Sequence, residues 1–255
     1  MKVSSINRDV LAKFLATELQ TDRVRDYCPN GLQVEGRSEI KHLVTGVTAS
    51  LALIEEAVRL GADALMVHHG YFWRGEDPRV VGQKQKRLKL LLENEISLFA
   101  YHLPLDIHPT LGNNACLARE LGLLADGRFG EDGIGWLGRL RQDEPVTMKT
   151  LAMQIEARLG RKPLLIGDEY QIVDRLAWCT GAAQSMFDQA IAAGANVYLS
   201  GEISEPTVHL AREAGVAYIA CGHHATERYG IEALGEFIAD KLNIAHTFVD
   251  IDNPV

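Results

Sequence analysis

The chain has 255 residues, 47% of them hydrophobic, and a formal charge of -8 at pH 7, enough apolar material for one large or two smaller globular domains. The acidic balance excludes a general affinity for nucleic-acid backbones, which needs clustered lysine and arginine, and leaves nucleotides and other small molecules open. No segment approaches the roughly 20 apolar residues that span a bilayer, so no membrane association is expected.

Residues 1–10 carry no apolar core of a secretory signal. Cys28, Cys116, Cys179 and Cys221 lie far apart without CxxC spacing and read as reduced thiols, so a cytoplasmic location is expected. Residues 6–19 place Val10, Leu11, Phe14, Leu15 and Leu19 on one helical stripe. A turn-rich loop follows over 26–36, where Pro29, Asn30 and Gly31 signal turns and Gln33 and Asn30 read as loop residues rather than pocket lining. Residues 42–67 read strand, helix, strand, with Gly61 ending the helix. A helix over 83–93 and a strand over 96–101 make a second crossover, which implies a parallel sheet with helices against it.

A comparable series begins near Leu176 and reads as an internal duplication. Val44-Thr-Gly-Val-Thr-Ala-Ser resembles Cys179-Thr-Gly-Ala-Ala-Gln-Ser, and the register sets His68 and His69 opposite Gly201 and Glu202. Glu202 in that place reads as a surface or loop carboxylate ahead of the alternative, a group that touches the site. A helix over 205–214 and a strand over 216–220 complete the copy, bringing His102 and His223 to matching places. Between the copies, Gly127 to Gly138 reads as a turn-rich linker, followed by a strand over 136–140, a helix over 146–159 and an apolar run over 164–166. A helix over 225–242 and a strand over 245–251 close the chain. The expected class is α/β, with two pseudo-repeated lobes, 1–125 and 126–255, whose mostly parallel or mixed sheets are flanked by helices. The last strand is free to pack back on the first lobe.

Candidate chemistry collects where apolar runs end. Ala-Leu-Met-Val-His-His-Gly over 64–70 delivers His68 and His69 just past a strand, where open α/β sheets gather functional groups. Neighbours on an extended chain face opposite sides, so one metal per histidine is the easier geometry. His102 and Asp106 are four apart, as are His223 and Glu227, although Pro104 argues against a regular helix around the first pair. A single histidine in such a place is usually a hydrogen-bonded core residue. Five of them with two carboxylates at matched spacing point to metal. The set exceeds four ligands and is nitrogen and oxygen only, which fits a dinuclear, partly open centre better than a closed structural zinc site. On this reading His68 and His223 serve mainly one ion, His69 and Asp106 the other, and Glu227 both. His102 is a further ligand or supports one, and His224 orients a ligand or substrate. Zinc, iron, manganese and nickel all suit these donors. Cys221 reads as a buried thiol. With no second general base in sight, Glu227 or a metal-bound hydroxide is the expected base in a hydrolysis.

The blocks Val-His-His-Gly, His-Leu-Pro-Leu-Asp followed by Gly112-Asn-Asn, and Gly222-His-His-Ala-Thr-Glu-Arg, in that order, resemble the YbgI-type dinuclear-metal-centre proteins, a group also named type 2 GTP cyclohydrolase I homologues. The resemblance runs from Pro29 to the Asp252-Asn-Pro segment. It implies a two-lobed α/β fold, a ring-shaped homohexamer and two divalent ions on His68, His69, Asp106, His223 and Glu227. A pair of ions activating a water suits hydrolysis, expected here on a nucleotide, with GTP ring opening or a damaged nucleotide as the specific case. The alternative is a non-catalytic metal-binding module that serves a partner. Competing motifs are weak: Gly133-Ile-Gly-Trp-Leu-Gly138 matches GxGxxG without the strand and helix that motif needs. Lys84, Lys86, Arg87 and Lys89 read as a solvated helix face.

Overall fold

The computed structural model describes residues 4–142 and 144–255. The first three residues of the amino-terminal stretch read above, and Asp143, lie outside it. The chain divides into two compact units, one of residues 1–112 with 230–252 and the other of residues 113–229 with 253–255.

The first unit runs β1 (Ile6–Asn7), α1 (Arg8–Glu18), β2 (Gly31–Val34), β3 (Glu39–Ile40), β4 (His42–Thr48), α2 (Leu51–Arg59), β5 (Ala64–His69), α3 (Gly82–Glu93), β6 (Ser97–Ala100) and α4 (Leu103–Ile107). The second runs α5 (Asn113–Leu121), β7 (Leu123–Phe129), β8 (Gly135–Leu140), α6 (Met148–Leu159), β9 (Leu164–Ile166), β10 (Leu176–Cys179), α7 (Phe187–Ala192), β11 (Val197–Ser200), α8 (Glu205–Ala214) and β12 (Ala217–Ala220). Helix α9 (His223–Leu242) starts in the second unit, and most of it, with β13 (Ala245–Phe248), belongs to the first. No helix among the described residues is long and apolar enough to cross a membrane.

The sheets carry the duplication that the sequence suggests. In the first unit the order is β13-β4-β5-β6-β2, and in the second β7-β8-β10-β11-β12-β9. In each, three consecutive strands run parallel, and an earlier strand closes the far edge antiparallel: β2 beside β6, β9 beside β12. One device recurs at the same point of both copies. The Asp63 carboxylate accepts from the amides of Lys41 and His42 at 2.8 and 3.0 Å. The Asn196 carboxamide oxygen accepts from those of Asp174 and Arg175 at 3.1 and 3.0 Å. Each thereby satisfies two backbone donors where the chain enters a parallel strand.

Apolar packing follows the strand and helix periods. Leu11, Leu15, Leu43, Met66, Phe99 and Ile238 share one core of the first unit, while Leu53, Ile54 and Ala57 of α2 pack with Leu65 and Val67 in another. Helix α2 starts where the Ser50 hydroxyl accepts from Leu53 N at 3.2 Å, an N-cap worth about 1 kcal/mol. Val10, placed on the buried stripe of α1 from its spacing, is 54% exposed.

Three local expectations are corrected. Pro104 does not prevent a helix: it sits in the first turn of α4, where its missing N–H has no intrahelical partner to lose. The Gly127 to Gly138 stretch is not a linker, because Gly127 lies inside β7 at an irregularity opposite Leu137, and β7 and β8 form an antiparallel hairpin within the second unit. The turn-rich segment after Asp26 contains β2, whose pairing with β6 outweighs its weak strand composition.

Candidate metal centre

Strand β5 carries both His68 and His69, with His69 its last residue. Alternation does not separate them as expected: the two rings lie 4.5 Å apart, centroid to centroid. Strict opposition of faces holds inside a ladder, and here the ladder ends, the His69 carbonyl taking Ala49 N at 2.9 Å before Gly70 leads the chain away. Gly70 is required at that point, since a Cβ there would lie 2.2 Å from Gln33 Oε1 and 2.5 Å from Ala100 Cβ. Gln33 braces the exit, accepting from Tyr71 N at 2.7 Å. His102 caps the start of α4, its ring 5.1 Å from that of His68 and 5.8 Å from that of His69. The three imidazoles offer nitrogens within 4.8 Å of one another. Asp106, one turn into α4 and 5% exposed, places Oδ1 3.6 Å from His68 Nε2.

Each imidazole has its Nδ1 engaged by the protein. His68 Nδ1 donates to the Tyr101 carbonyl at 2.9 Å, His102 Nδ1 meets Asp26 Oδ1 at 2.7 Å, and His69 Nδ1 lies 3.1 Å from the Thr48 hydroxyl. Nε2 is then the nitrogen whose lone pair can face a cation, the arrangement that metal-bound histidines adopt. Asp26 also accepts from Asn30 Nδ2, Leu103 N and Tyr27 N. Burial works against its charge, but His102, Asn30 and the Tyr27 amide together hold its pKa below the ordinary value. Asp26 is thus occupied in bracing. Cys28 also lies within reach of Asp26 and His102, but burial and the Asp26 charge push its thiol up to about 12, a neutral group and a poor ligand.

In the second unit, α9 opens on His223, and one turn on, Glu227 Oε2 lies 3.1 Å from His223 Nε2. His223 Nδ1 meets Glu202 Oε1 at 2.7 Å. Glu202, expected on the surface, is therefore a partner of this imidazole, standing in the copy where the first unit has His69. Burial disfavours the His223 cation, yet the Glu227 and Glu202 carboxylates outweigh it and raise the pKa to about 9. A divalent cation would take the place of that proton. Two glycines make room: a Cβ on Gly181 would stand 2.1 Å from Glu227 Oε1, and one on Gly201 2.7 Å from His223 Cα. His224 is buried and its amide donates to the Val255 carbonyl at 3.0 Å. Cys221 is fully buried, which raises its pKa and keeps the thiol neutral.

Sequence reasoning thus missed Asp26, Gly181 and Thr226, whose hydroxyl accepts from Gly181 N at 3.1 Å, and ranked a site role for Glu202 below a surface one. The signal available was positional for Glu202, which the repeat register already set opposite His69. For Asp26 there was none, since it reaches His102 across 76 residues of sequence.

Fold and site together define a mixed α/β protein with two parallel-centred sheets and histidine and carboxylate groups able to hold metal ions. The model of the Duf34/NIF3 (NGG1p interacting factor 3) family matches residues 6–254, and the chain belongs to that family. A Pseudomonas aeruginosa protein named GTP cyclohydrolase 1 type 2 homolog is 55% identical over 240 residues, covering 92% of this chain and 94% of the relative. An Escherichia coli protein of the same name is 52% identical over 245 residues, covering 96% and 98%. The solved structure of a protein called ybgI, of unknown function, is 50% identical with a TM-score of 0.93, covering 98% of this chain and 100% of its own.

Proposed function

We propose that the protein is a dinuclear metal-dependent hydrolase of a nucleotide or related small molecule, with His68, His69, Asp106, His223 and Glu227 as its metal ligands. The observation that carries this is the engagement of the Nδ1 atoms of His68, His102 and His223 by a carbonyl and two carboxylates. Such support fixes the tautomer and presents Nε2. The relatives' name, GTP cyclohydrolase 1 type 2 homolog, supports ring opening of a guanine nucleotide as the specific reaction. Processing of damaged nucleotides is the broader form of the same chemistry.

When bound, two divalent ions would polarise the scissile bond and acidify a water molecule. Zinc, iron, manganese and nickel suit the nitrogen and oxygen donors alike. Glu227 would take the proton that the water gives up, Glu202 and Asp26 hold His223 and His102 in register, and His224 would orient a ligand or the substrate. The resemblance to the YbgI-type proteins supports assembly as a ring-shaped homohexamer, which sedimentation equilibrium tests directly.

The functional test is turnover by protein loaded with each metal, against GTP and a panel of oxidised nucleotides. The wild type should convert at least one substrate and His68→Ala none. Activity that survives in His68→Ala would place the chemistry elsewhere. Bound metal with no turnover across the panel, and a stable partner in pull-downs, would favour the non-catalytic module.

A further inference from the structure

We propose that Trp73 is the platform on which the substrate's planar heteroaromatic ring stacks. This deepens the hydrolase reading, rests on it, and narrows the substrate class to ring-bearing molecules.

Trp73 is half-buried on a segment in which Phe72 and residues 74–81 are all exposed. It belongs to neither apolar core of the first unit among the described residues. Instead its indole stands edge-on to His102, centroids 4.9 Å apart at 84°, and 6.2 Å from the ring of His69. A tryptophan beside the imidazoles and outside the core has a large flat surface at the chemistry and no packing reason to be there.

The ring is held in place. Its Nε1 donates to the Gly70 carbonyl at 3.2 Å, and its amide donates to Glu76 Oε2 at 3.1 Å. Glu76 Oε1 in turn pairs with Lys84 Nζ at 3.1 Å, and the same ammonium lies 5.1 Å from the Phe72 ring centroid. Phe72 has φ +66°, a left-handed backbone that a bulky residue avoids. Strain of that kind persists where the surroundings over-determine it, and it concentrates at ligand-handling segments. Lys84, in the first turn of α3, thus ties the loop to the helix through Glu76 and the Asp77 carbonyl, which its ammonium reaches at 3.3 Å.

The chain has three tryptophans, and Trp136 and Trp178 are buried in a core of the second unit, so quenching of emission by an added ligand reports Trp73. Metal-loaded wild type, Trp73→Phe and Trp73→Ala are titrated with GTP, ATP and the ring-free ribose 5-phosphate, by fluorescence for the wild type and calorimetry for all three. Metal content and melting are measured on the same samples. The wild type should show saturable quenching by both nucleotides and none by ribose 5-phosphate. Trp73→Ala should bind the nucleotides at least about fivefold more weakly, the loss expected of one base–aromatic stack, while Trp73→Phe keeps most of the affinity and both variants keep their metal. Equal nucleotide affinities across the three proteins, no ring-dependent quenching of the wild type, or loss of metal from Trp73→Ala, which would make the indole a shield for the imidazoles, each overturn the proposal. Ring-dependent quenching in protein that holds no metal or turns nothing over would instead sink the hydrolase reading alone.

Discussion

Glu202 shows how a residue's role is set by what it touches rather than by its type. Its carboxylate fixes the tautomer of His223 from 2.7 Å, so Glu202→Ala should weaken metal binding by about 10–100-fold, read by chelator competition, with melting nearly unchanged. The bias of glutamate toward surfaces hid this, although the repeat register pointed at it. His246 makes a second case. Burial, with the neighbouring His42, lowers its pKa from 6.5 to about 4, while its Nε2 bonds the Thr45 hydroxyl at 2.8 Å. The unfolded chain takes up this proton more readily than the folded one. The contribution of neutral His246 is therefore complete above about pH 6.5 and is lost as the pH falls toward 4. The melting temperature of the wild type should drop across that window more steeply than that of His246→Gln; parallel profiles would contradict the assignment. Nothing in the sequence marked His246, since burial of a strand-end histidine depends on the helix above it: a Cβ on Gly235 of α9 would lie 2.1 Å from its Nε2.

At the level of the elements, the repeated pair of Asp63 and Asn196 explains why two copies with diverged sequences keep one geometry. Each side chain satisfies two backbone donors at the mouth of a parallel strand. Asp63→Ala should cost about 1–3 kcal/mol in urea unfolding, because two part-buried amides and the Arg37 guanidinium lose their acceptor. Asp63→Asn should cost less than half as much, since the second copy performs the task with asparagine. Equal costs would show that the Arg37 ion pair with Asp63 at 2.8 Å, rather than the amide acceptance, is what matters. The parallel triplets were legible from the sequence because strand, helix and strand alternate with clear periods, as in β4, α2 and β5. Helix α5 and strand β7 escaped notice. The buried Asn113 and Asn114 break the apolar signal of the helix, and the exposed Ala125 and Asp126 that of the strand. The short β2 was hidden by turn residues for a similar reason: its strand character comes from β6 beside it.

Over the whole molecule, the candidate ligands were readable because they cluster in three short blocks at strand ends, whereas the groups that brace them are single residues brought in from far along the chain. Asp26 reaches His102, and Asn30 accepts from the His102 amide at 2.7 Å; neither contact leaves a trace in spacing. The same division explains which changes should be selective. Substituting a ligand should remove metal while both units keep the aliphatic and aromatic clusters that hold their sheets and helices together. The most direct test is elemental analysis by plasma mass spectrometry of purified, metal-loaded wild type, His68→Ala and Glu227→Gln, each with a matched melting curve. About two divalent ions per wild-type chain are expected and well under that in both variants, at unchanged cooperativity of melting. A wild type that holds no ion under any loading condition, or variants that keep the full complement, would contradict that expectation.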